Sequence, residues 1–289
     1  MKEQVQEQVD VDYLLGKMRK RMLLQSYAYN TINNYIYGVK LMLKYCKQHP
    51  EDLNTDDVFN FLVYLKEERK FSRNSMRIVV SGIRYLYNWF LDRPDIIKEI
   101  PYPKAVKYLP EVFTGIELKN VIERTANRKH RLLLMLIYSA GLRRGEVPGI
   151  LLTDIDRKNM QIHIRQGKGG KDRFAQLSKH FLQEMDIYIE EFKPEHYLFN
   201  GRKKGSQLVA SAMGWALKQA IKREGIKKKV GLHSLRHSFA THHLSIGTNL
   251  FMIKELLGHK HIQTTLLYLQ YDNRMRKQVQ NPLDVMFGK

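Results

Sequence analysis

The rest of this chain is arranged around residues 231–271, which run GLHSLRHSFATHHLSIGTNLFMIKELLGHKHIQTTLLYLQY. His233 and Arg236 are three residues apart, so on a helix they share one face and can present an imidazole and a guanidinium to the same phosphate. His259 follows Leu-Leu-Gly, and Tyr268 lies nine residues beyond His259. The segment therefore holds two imidazoles, a guanidinium and a phenol at fixed spacings.

Two further groups of residues precede this segment. The first is AGLR at 140–143 with Glu146 three residues after its arginine, and the second is GKGGKDR at 167–173. With His-x-x-Arg, Leu-Gly-His and the tyrosine they make five elements in a fixed order, which chance explains poorly. The order resembles that of the tyrosine recombinase (phage integrase) family, including its Xer-like site-specific recombinases.

The resemblance implies an enzyme that cuts and rejoins DNA strands through a covalent 3′-phosphotyrosyl intermediate, without ATP, metal or another cofactor. In this mechanism Tyr268 is the nucleophile, Lys168 protonates the departing 5′-oxygen, and His233 helps to take the tyrosine proton. The two arginines clamp the phosphate, His259 donates a hydrogen bond to it, and Glu146 supports the orientation of the site. The implied catalytic residues are Arg143, Lys168, His233, Arg236, His259 and Tyr268.

Two of these assignments have a neighbouring competitor. Tyr271 lies one helical turn after Tyr268, but the spacing from Leu-Gly-His favours Tyr268. Lys171 replaces Lys168 as the general acid if the glycine-rich turn has a different register.

A zinc site is the other interpretation of the histidines, and the residue types argue against it. His233 and His237 have the i, i+4 spacing of a zinc-binding helix, but Ser234 stands where His-Glu-x-x-His requires a glutamate. We therefore predict no metal site.

The composition points to a polyanionic partner. The 289 residues include 49 Lys and Arg against 29 Asp and Glu, a net charge of +20, and such an excess on a folded chain is typical of nucleic-acid binding. DNA or RNA is the first candidate and an anionic membrane surface the second. The apolar fraction of 43% is ample for a packed core of one large or two ordinary domains.

The composition also argues against other classes of protein. The longest strongly apolar run, 132–138, is far shorter than the ~20 residues that span a bilayer. Residues 1–12 are polar and unlike a signal peptide. Cys46 is the single cysteine, so no intrachain disulfide can form, which fits a reducing compartment. We expect a cytoplasmic protein that does not enter a membrane.

Residues 11–95 are predicted to form a small all-helical domain. Apolar residues recur at helical spacing in 11–25, Asn30 is the predicted N-cap of a second helix, Thr55 begins a third, and Ser72 opens a fourth. The segment resembles the family's N-terminal core-binding (SAM-like) DNA-binding domain. Four of the eight prolines lie between 93 and 110 and predict an extended, helix-free linker, assigned to 96–112.

Residues 113–289 are predicted to form the catalytic domain with a C-terminal tail. Thr114 caps a helix, and Gly141 is a left-handed cap at the end of the next. Alternating apolar residues on both sides of GKGG predict a β-hairpin with Lys168 at its tip. The predicted fold is mainly α with a small β-hairpin or sheet, and its other elements are helices near 129–140, 179–192 and 206–224 and strands at 160–166 and 173–177.

The tail after Arg274 is basic but too apolar to be only solvated, since it contains Val279, Leu283, Val285, Met286 and Phe287. By resemblance it docks on a neighbouring subunit, which links a homotetramer around two DNA duplexes. Folding back on its own domain is the alternative, and it stays open.

Two rival functions also stay open at this point. A type IB topoisomerase shares the chemistry, and a DNA-binding regulator could carry the same residues in an inert form.

Residues 147–149, Gln176 and 269–270 depart from the usual family pattern, so chromosome-dimer resolution and mobile-element integration are both compatible with the sequence. The short segment before residue 11 favours a simple Xer-like layout. No motif in the sequence identifies the DNA target or an accessory protein.

Overall fold

The structure of the protein is a computed structural model that describes residues 2–104, 109–165, 172–203, 205–271 and 286. The chain divides into two compact units, Met1–Tyr108 and Leu109–Lys289. Lys168 and Lys171 at the predicted hairpin tip lie outside the described residues, as does the tail after Tyr271 apart from Met286.

The first unit is helical throughout its described secondary structure, and two of its predicted helix starts are confirmed. Asn54 and Asp57 form a reciprocal capping box that begins the helix at Thr55. Ser72 accepts a hydrogen bond from the Ser75 backbone and opens the next helix. The helices are α1 (Lys2–Leu24), α2 (Tyr29–Cys46), α3 (Thr55–Glu67), α4 (Arg73–Tyr85), a π-helical turn (Leu86–Phe90) and α5 (Asp95–Lys98).

The predicted N-cap at Asn30 is wrong. Helix α2 begins at Tyr29, two residues before the predicted start at Thr31, and Ala28 occupies the cap position without a side-chain hydrogen bond. The turn that ends α1 is tight, with Ser26 at φ +59° and the Tyr27 N–H bonded to the Met22 carbonyl. After this turn the chain is already helical at Tyr29, so Asn30 lies inside the helix and does not cap it.

The linker prediction is wrong in one respect, because residues 93–110 are not free of helix. Helix α5 follows directly after Pro94, whose missing N–H costs nothing at a helix start. Ile96, Ile97 and Ile100 are each at most 3% exposed and belong to the core of the first unit. Burial of these three apolar side chains stabilises a helix that the proline-rich pattern did not predict.

The second unit is built around an apolar helix whose residues 132–137 are all buried. The capping box between Thr114 and Glu117 confirms the predicted helix start there. The predicted helix at 206–224 starts later, because Gln207 first pairs with Asn200 in a β-bridge. The helices are α6 (Gly115–Glu123), α7 (Arg128–Ser139), α8 (Lys179–Phe192), α9 (Ala210–Arg223), α10 (Leu232–Ser245), α11 (Leu250–Leu257) and α12 (Gln263–Leu266), with 3₁₀ turns at Val147–Gly149, Leu152–Asp154 and Leu267–Tyr271.

A small antiparallel sheet lies beside these helices. It contains β1 (Ile155–Asp156), β2 (Gln161–Ile164) and β3 (Arg173–Gln176) in the order β1-β2-β3. The β2–β3 pair confirms the predicted hairpin, with Ile164 opposite Arg173 at the end nearest the tip. Strand β1 was not predicted, because two residues are too few to show an alternating pattern.

Gly141 ends α7 in the predicted left-handed conformation, with φ +56°. The Leu142 N–H bonds back to the Ile137 carbonyl and closes the cap. A Cβ at Gly141 would lie 2.8 Å from Phe239 Cδ1 and 3.0 Å from Leu257 Cδ2. The glycine therefore lets the end of α7 approach α10 and α11 closely, which places Arg143 beside the end of α11.

None of the helices in the described residues is long and apolar enough to cross a membrane.

We expect Gly141→Ala to lower the free energy of unfolding by roughly 3 kcal/mol, since it adds a steric overlap to the cost of left-handed backbone. Gly225→Ala is the matched control, because Gly225 has φ +63° but no atom within 4 Å of its added Cβ. The control should lose only about 1 kcal/mol. Urea titrations of both variants measure the difference, and equal losses would exclude a tight approach at Gly141.

Candidate active site

Helix α10 carries two of the predicted catalytic residues, His233 and Arg236, and a second histidine, His237. The helix starts after the extended Gly231, whose N–H donates to the Ser234 hydroxyl at 3.1 Å. Arg236 is 1% exposed, whereas His233, three residues earlier, faces solvent. His237 follows directly and is 8% exposed. The helix thus carries one buried cation between an exposed and a buried imidazole.

The guanidinium of Arg236 is held by carbonyl groups at the ends of two helices. Nη1 donates to the Gly141 carbonyl at 2.5 Å and Nη2 to the Leu257 carbonyl at 2.6 Å. Carbonyl groups at a helix C-terminus lack helical partners and carry partial negative charge. Burial, with the charges of Arg143 and Arg173, lowers the pKa of Arg236 to about 9, so the guanidinium is charged at neutral pH.

Arg143 contacts the same helix end from the loop after α7. Its Nη2 donates to the Gly258 carbonyl at 3.1 Å, and its backbone N–H and Nη1 both donate to Glu146 at 2.8 Å. The side chain is 22% exposed. Arg143 is therefore fixed on one side by protein and open to solvent on the other.

Arg173 completes this arrangement from the first residue of β3. Its Nη1 donates to the Leu256 carbonyl at 2.8 Å and its Nη2 to the Glu146 carboxylate at 2.9 Å. Three guanidinium groups, of Arg143, Arg173 and Arg236, thus converge on the last carbonyls of α11. Burial alone would raise the pKa of Glu146, but the charge of Arg173 and the hydrogen bonds from Arg143 hold it below its ordinary value.

His259 lies just beyond the same helix end. Its Nδ1 is 2.9 Å from the hydroxyl of Thr265, which is fully buried. Burial, with the charges of Arg236 and Arg143, lowers the pKa of His259 to about 3. The ring is therefore neutral at neutral pH and, when the Thr265 hydroxyl donates to Nδ1, carries its hydrogen on Nε2.

Tyr268 lies in the 3₁₀ turn after α12 and is 2% exposed. Its hydroxyl is 3.1 Å from Nδ1 of His237, and its ring lies nearly parallel to that of His259 with centroids 6.4 Å apart. Burial raises the pKa of Tyr268, although Arg236 and Arg143 oppose that shift. The phenol thus lies within the field of both arginines.

The structure brings the described candidates together in the second unit. His233 joins the cluster through its ring contact with His237, with centroids 4.4 Å apart. His233 is exposed, but the groups packed around it partly exclude water from its ring, and this desolvation together with the charges of Arg236 and Arg143 lowers its pKa. The remaining candidate, Lys168, lies outside the described residues. No group of three or more His, Cys, Asp or Glu side chains in the described part of the chain could hold a metal ion.

Sequence reasoning gave no catalytic part to Arg173 or His237, which both touch the candidate residues. Arg173 ends the GKGGKDR motif, and its place in that motif is the available signal. His237 was considered only as a zinc ligand, although its i, i+4 spacing from His233 was evident. Neither long-range partner, Leu256 nor Tyr268, could be identified from spacing.

Comparison with known proteins matches both units. Residues 113–275 match the Phage integrase family, and residues 14–96 match the phage integrase N-terminal SAM-like domain. The chain is similar to tyrosine recombinase XerA of Thermococcus kodakarensis, with 32% identity over 251 residues that cover 85% of this chain and 86% of that protein. Its identity with tyrosine recombinase XerC of Staphylococcus saprophyticus is 28% over 271 residues, covering 88% and 91%.

Solved structures share the fold. A lambda integrase dimer bound to a COC′ core site superposes with a TM-score of 0.73 at 17% identity, covering 93% of this chain and 79% of that chain. The XerH recombinase bound to a palindromic difH substrate gives a TM-score of 0.68 at 21% identity, covering 86% and 78%. This likeness confirms the predicted mainly helical fold.

We expect Arg173→Met to lower the free energy of unfolding by about 2 kcal/mol, since the Glu146 carboxylate and Leu256 carbonyl lose a donor while the side-chain volume is kept. Arg157→Met is the control, because Arg157 pairs with Asp186 at the surface, where both side chains are about half exposed. That control should change the free energy by less than about 1 kcal/mol. Chemical denaturation of both variants measures the difference.

The stability that Arg173→Met loses should be smaller at low pH than at neutral pH. The pKa of Glu146 is depressed in the folded protein, so its ion pair stabilises fully above the unfolded pKa of about 4.3 and is lost as the pH falls through the folded value. The difference in free energy of unfolding between the wild type and Arg173→Met should therefore become smaller at acid pH. A gap independent of pH would show that Glu146 is not the partner that matters.

Proposed function

The chain belongs to the phage integrase family, and from that premise we propose how it breaks and rejoins DNA strands. It is a Xer-like tyrosine recombinase, an enzyme of site-specific DNA recombination whose partner is DNA. These relatives do not favour a type IB topoisomerase or an inert DNA-binding regulator. One observation carries the proposed mechanism: a buried tyrosine contacts the residue next to Arg236, and Arg236 and Arg143 both donate to carbonyls of one helix end.

The arginine cluster supplies the charge that phosphoryl transfer requires. The described site sets three guanidinium groups against the single carboxylate of Glu146. A DNA phosphate that enters the site offsets this excess, and charge on its oxygens grows in the transition state. Arg236 uses two of its five N–H donors in the described protein contacts, which leaves donors for phosphate oxygens. Arg143 and Arg236 therefore clamp the scissile phosphate.

Cleavage forms one bond and breaks another at phosphorus. The Tyr268 oxygen attacks, the oxygen–phosphorus bond forms, and the bond from phosphorus to the 5′-oxygen breaks. Lys168 gives the proton that the departing 5′-oxygen needs, and His233 helps to take the proton from the tyrosine. His259, neutral with its hydrogen on Nε2, donates to a phosphate oxygen. A 5′-hydroxyl then reverses the step on the phosphotyrosyl link, which conserves the bond energy and makes ATP unnecessary.

Both units take part in holding the duplex. We assign the core-binding domain to residues 11–100, since Ile96, Ile97 and Ile100 belong to its core, the linker to 101–112 and the catalytic domain to 113–289. The net charge of +20 supports extensive phosphate contact, because Lys and Arg side chains that replace DNA counterions supply most of the non-specific affinity.

Assembly on DNA is proposed to use four subunits and two duplexes. The apolar residues of 279–289 dock on a neighbouring subunit, and one such contact repeated around a ring serves every interface. Met286 is 79% exposed, which suits a residue that is buried only by a partner. The same structural family includes a lambda integrase tetramer bound to a Holliday junction.

Tyr268→Phe should abolish the covalent protein–DNA adduct and leave duplex affinity near that of wild type, because it removes only the nucleophilic oxygen. A nicked suicide duplex, carrying the site recovered from DNA trapped on the wild-type protein, measures adduct formation on a denaturing gel. Tyr271→Phe is the control and should retain the adduct. The opposite pattern would move the nucleophile to Tyr271.

Deletion of residues 279–289 should leave a protein that binds one DNA site but does not join two sites or exchange strands. Light scattering with site DNA measures the assembly, and a two-site recombination assay measures the exchange. A truncated protein that recombines at the normal rate would exclude docking of the tail on a neighbour.

A further inference from the structure

We propose that His237 is a positioning residue, which holds the hydroxyl of Tyr268 in the orientation that attacks the scissile phosphate. The proposal rests on the proposed function, because it needs Tyr268 to be the nucleophile. It adds a residue to those that the family resemblance assigns, and it is carried by a contact between two buried side chains.

The contact joins two groups that are nearly closed to water. His237 is 8% exposed and Tyr268 is 2% exposed, and the distance from Nδ1 to the hydroxyl oxygen is 3.1 Å. The two ring centroids are 5.6 Å apart, with the planes inclined at 59°. A buried hydroxyl without a partner costs about 1–3 kcal/mol, so this hydrogen bond constrains where the phenol oxygen can lie.

The two aromatic neighbours of Tyr268 leave its hydroxyl little freedom. The ring of His259 lies nearly parallel to the phenol, at an angle of 13° with centroids 6.4 Å apart, and lines one side of it. Nδ1 of His237 then fixes the direction of the hydroxyl. Both contacts come from residues that adjoin the arginine cluster in the chain: His237 follows Arg236, and His259 follows Gly258, whose carbonyl accepts from Arg143.

The position of His237 on α10 sets that direction. His233 and His237 are four residues apart and therefore lie on one helix face, with their rings 4.4 Å apart and nearly perpendicular. Arg236 is the adjacent residue on the same helix. The hydroxyl of Tyr268 is consequently held on the side of α10 that presents the clamp and the proposed proton acceptor.

The charge state of His237 suits a positional contact. Burial, with the nearby His233 and Arg236, lowers the pKa of His237 to about 4. A neutral imidazole accepts or donates a hydrogen bond without adding another cation to the arginine cluster. Its influence is on the geometry of attack, where a displacement of about 1 Å costs on the order of 100-fold in rate.

Three substitutions at one position test the role of Nδ1. Asn places an amide atom near the position of Nδ1, Gln places one near Nε2, and Phe keeps the ring volume without any hydrogen bond. His237→Phe should lower the single-turnover cleavage rate on the nicked suicide duplex by about 10- to 100-fold, with duplex affinity unchanged. His237→Asn should recover most of that rate, and His237→Gln should not.

His243→Asn and His243→Phe are matched controls, since His243 lies on the same helix and bonds through Nδ1 to the Thr248 hydroxyl at 3.1 Å. Both should cleave at the wild-type rate. Thermal midpoints of all variants are measured in parallel, and a cleavage loss fully accounted for by unfolded protein overturns the proposal.

Two further results would also overturn it: His237→Phe cleaving as fast as wild type or faster, or the Asn and Gln variants being equally impaired. The Asn and Gln pair decides the matter even where the Phe variant does not fold. Failure of the proposed function is distinguishable, because the wild-type protein itself would then form no adduct.

Discussion

The C-terminal end of α11 is the feature on which the site depends. The carbonyls of Leu256, Leu257 and Gly258 receive hydrogen bonds from Arg173, Arg236 and Arg143, which come from a strand, a helix and a loop. A helix end is one of few places in a protein where several unpaired carbonyls point the same way. The partial charge there allows three guanidinium groups to lie close together with one carboxylate among them.

This arrangement disfavours a further cation and favours an anion. Burial lowers the pKa values of Arg236 and His259, and neighbouring arginines lower them further. The imidazoles therefore stay neutral at neutral pH, while the guanidinium groups stay charged. A phosphate diester matches both conditions, because it neutralises the arginines and accepts hydrogen bonds from neutral rings.

The end of α11 and the proposed nucleophile lie close together in the sequence. Gly258 ends α11, His259 follows it, Thr265 orients His259, and Tyr268 lies one turn further. A displacement of α11 would therefore shift the arginines, the histidine and the nucleophile together. Contact between the tail and a neighbour, as proposed, would act on the same segment, which gives assembly a direct physical route to the position of Tyr268.

The sequence by itself determined the local features. The Ser72 cap, the left-handed Gly141 and the β2–β3 hairpin each depend on neighbouring residues, and the spacing of the motif elements gave the family. Tertiary structure decided the rest. Helix α5 forms because Ile96 and its neighbours are buried, and Arg173 and His237 acquire their partners across gaps of 83 and 31 residues. Local preference cannot specify such contacts, because they depend on how separate elements pack.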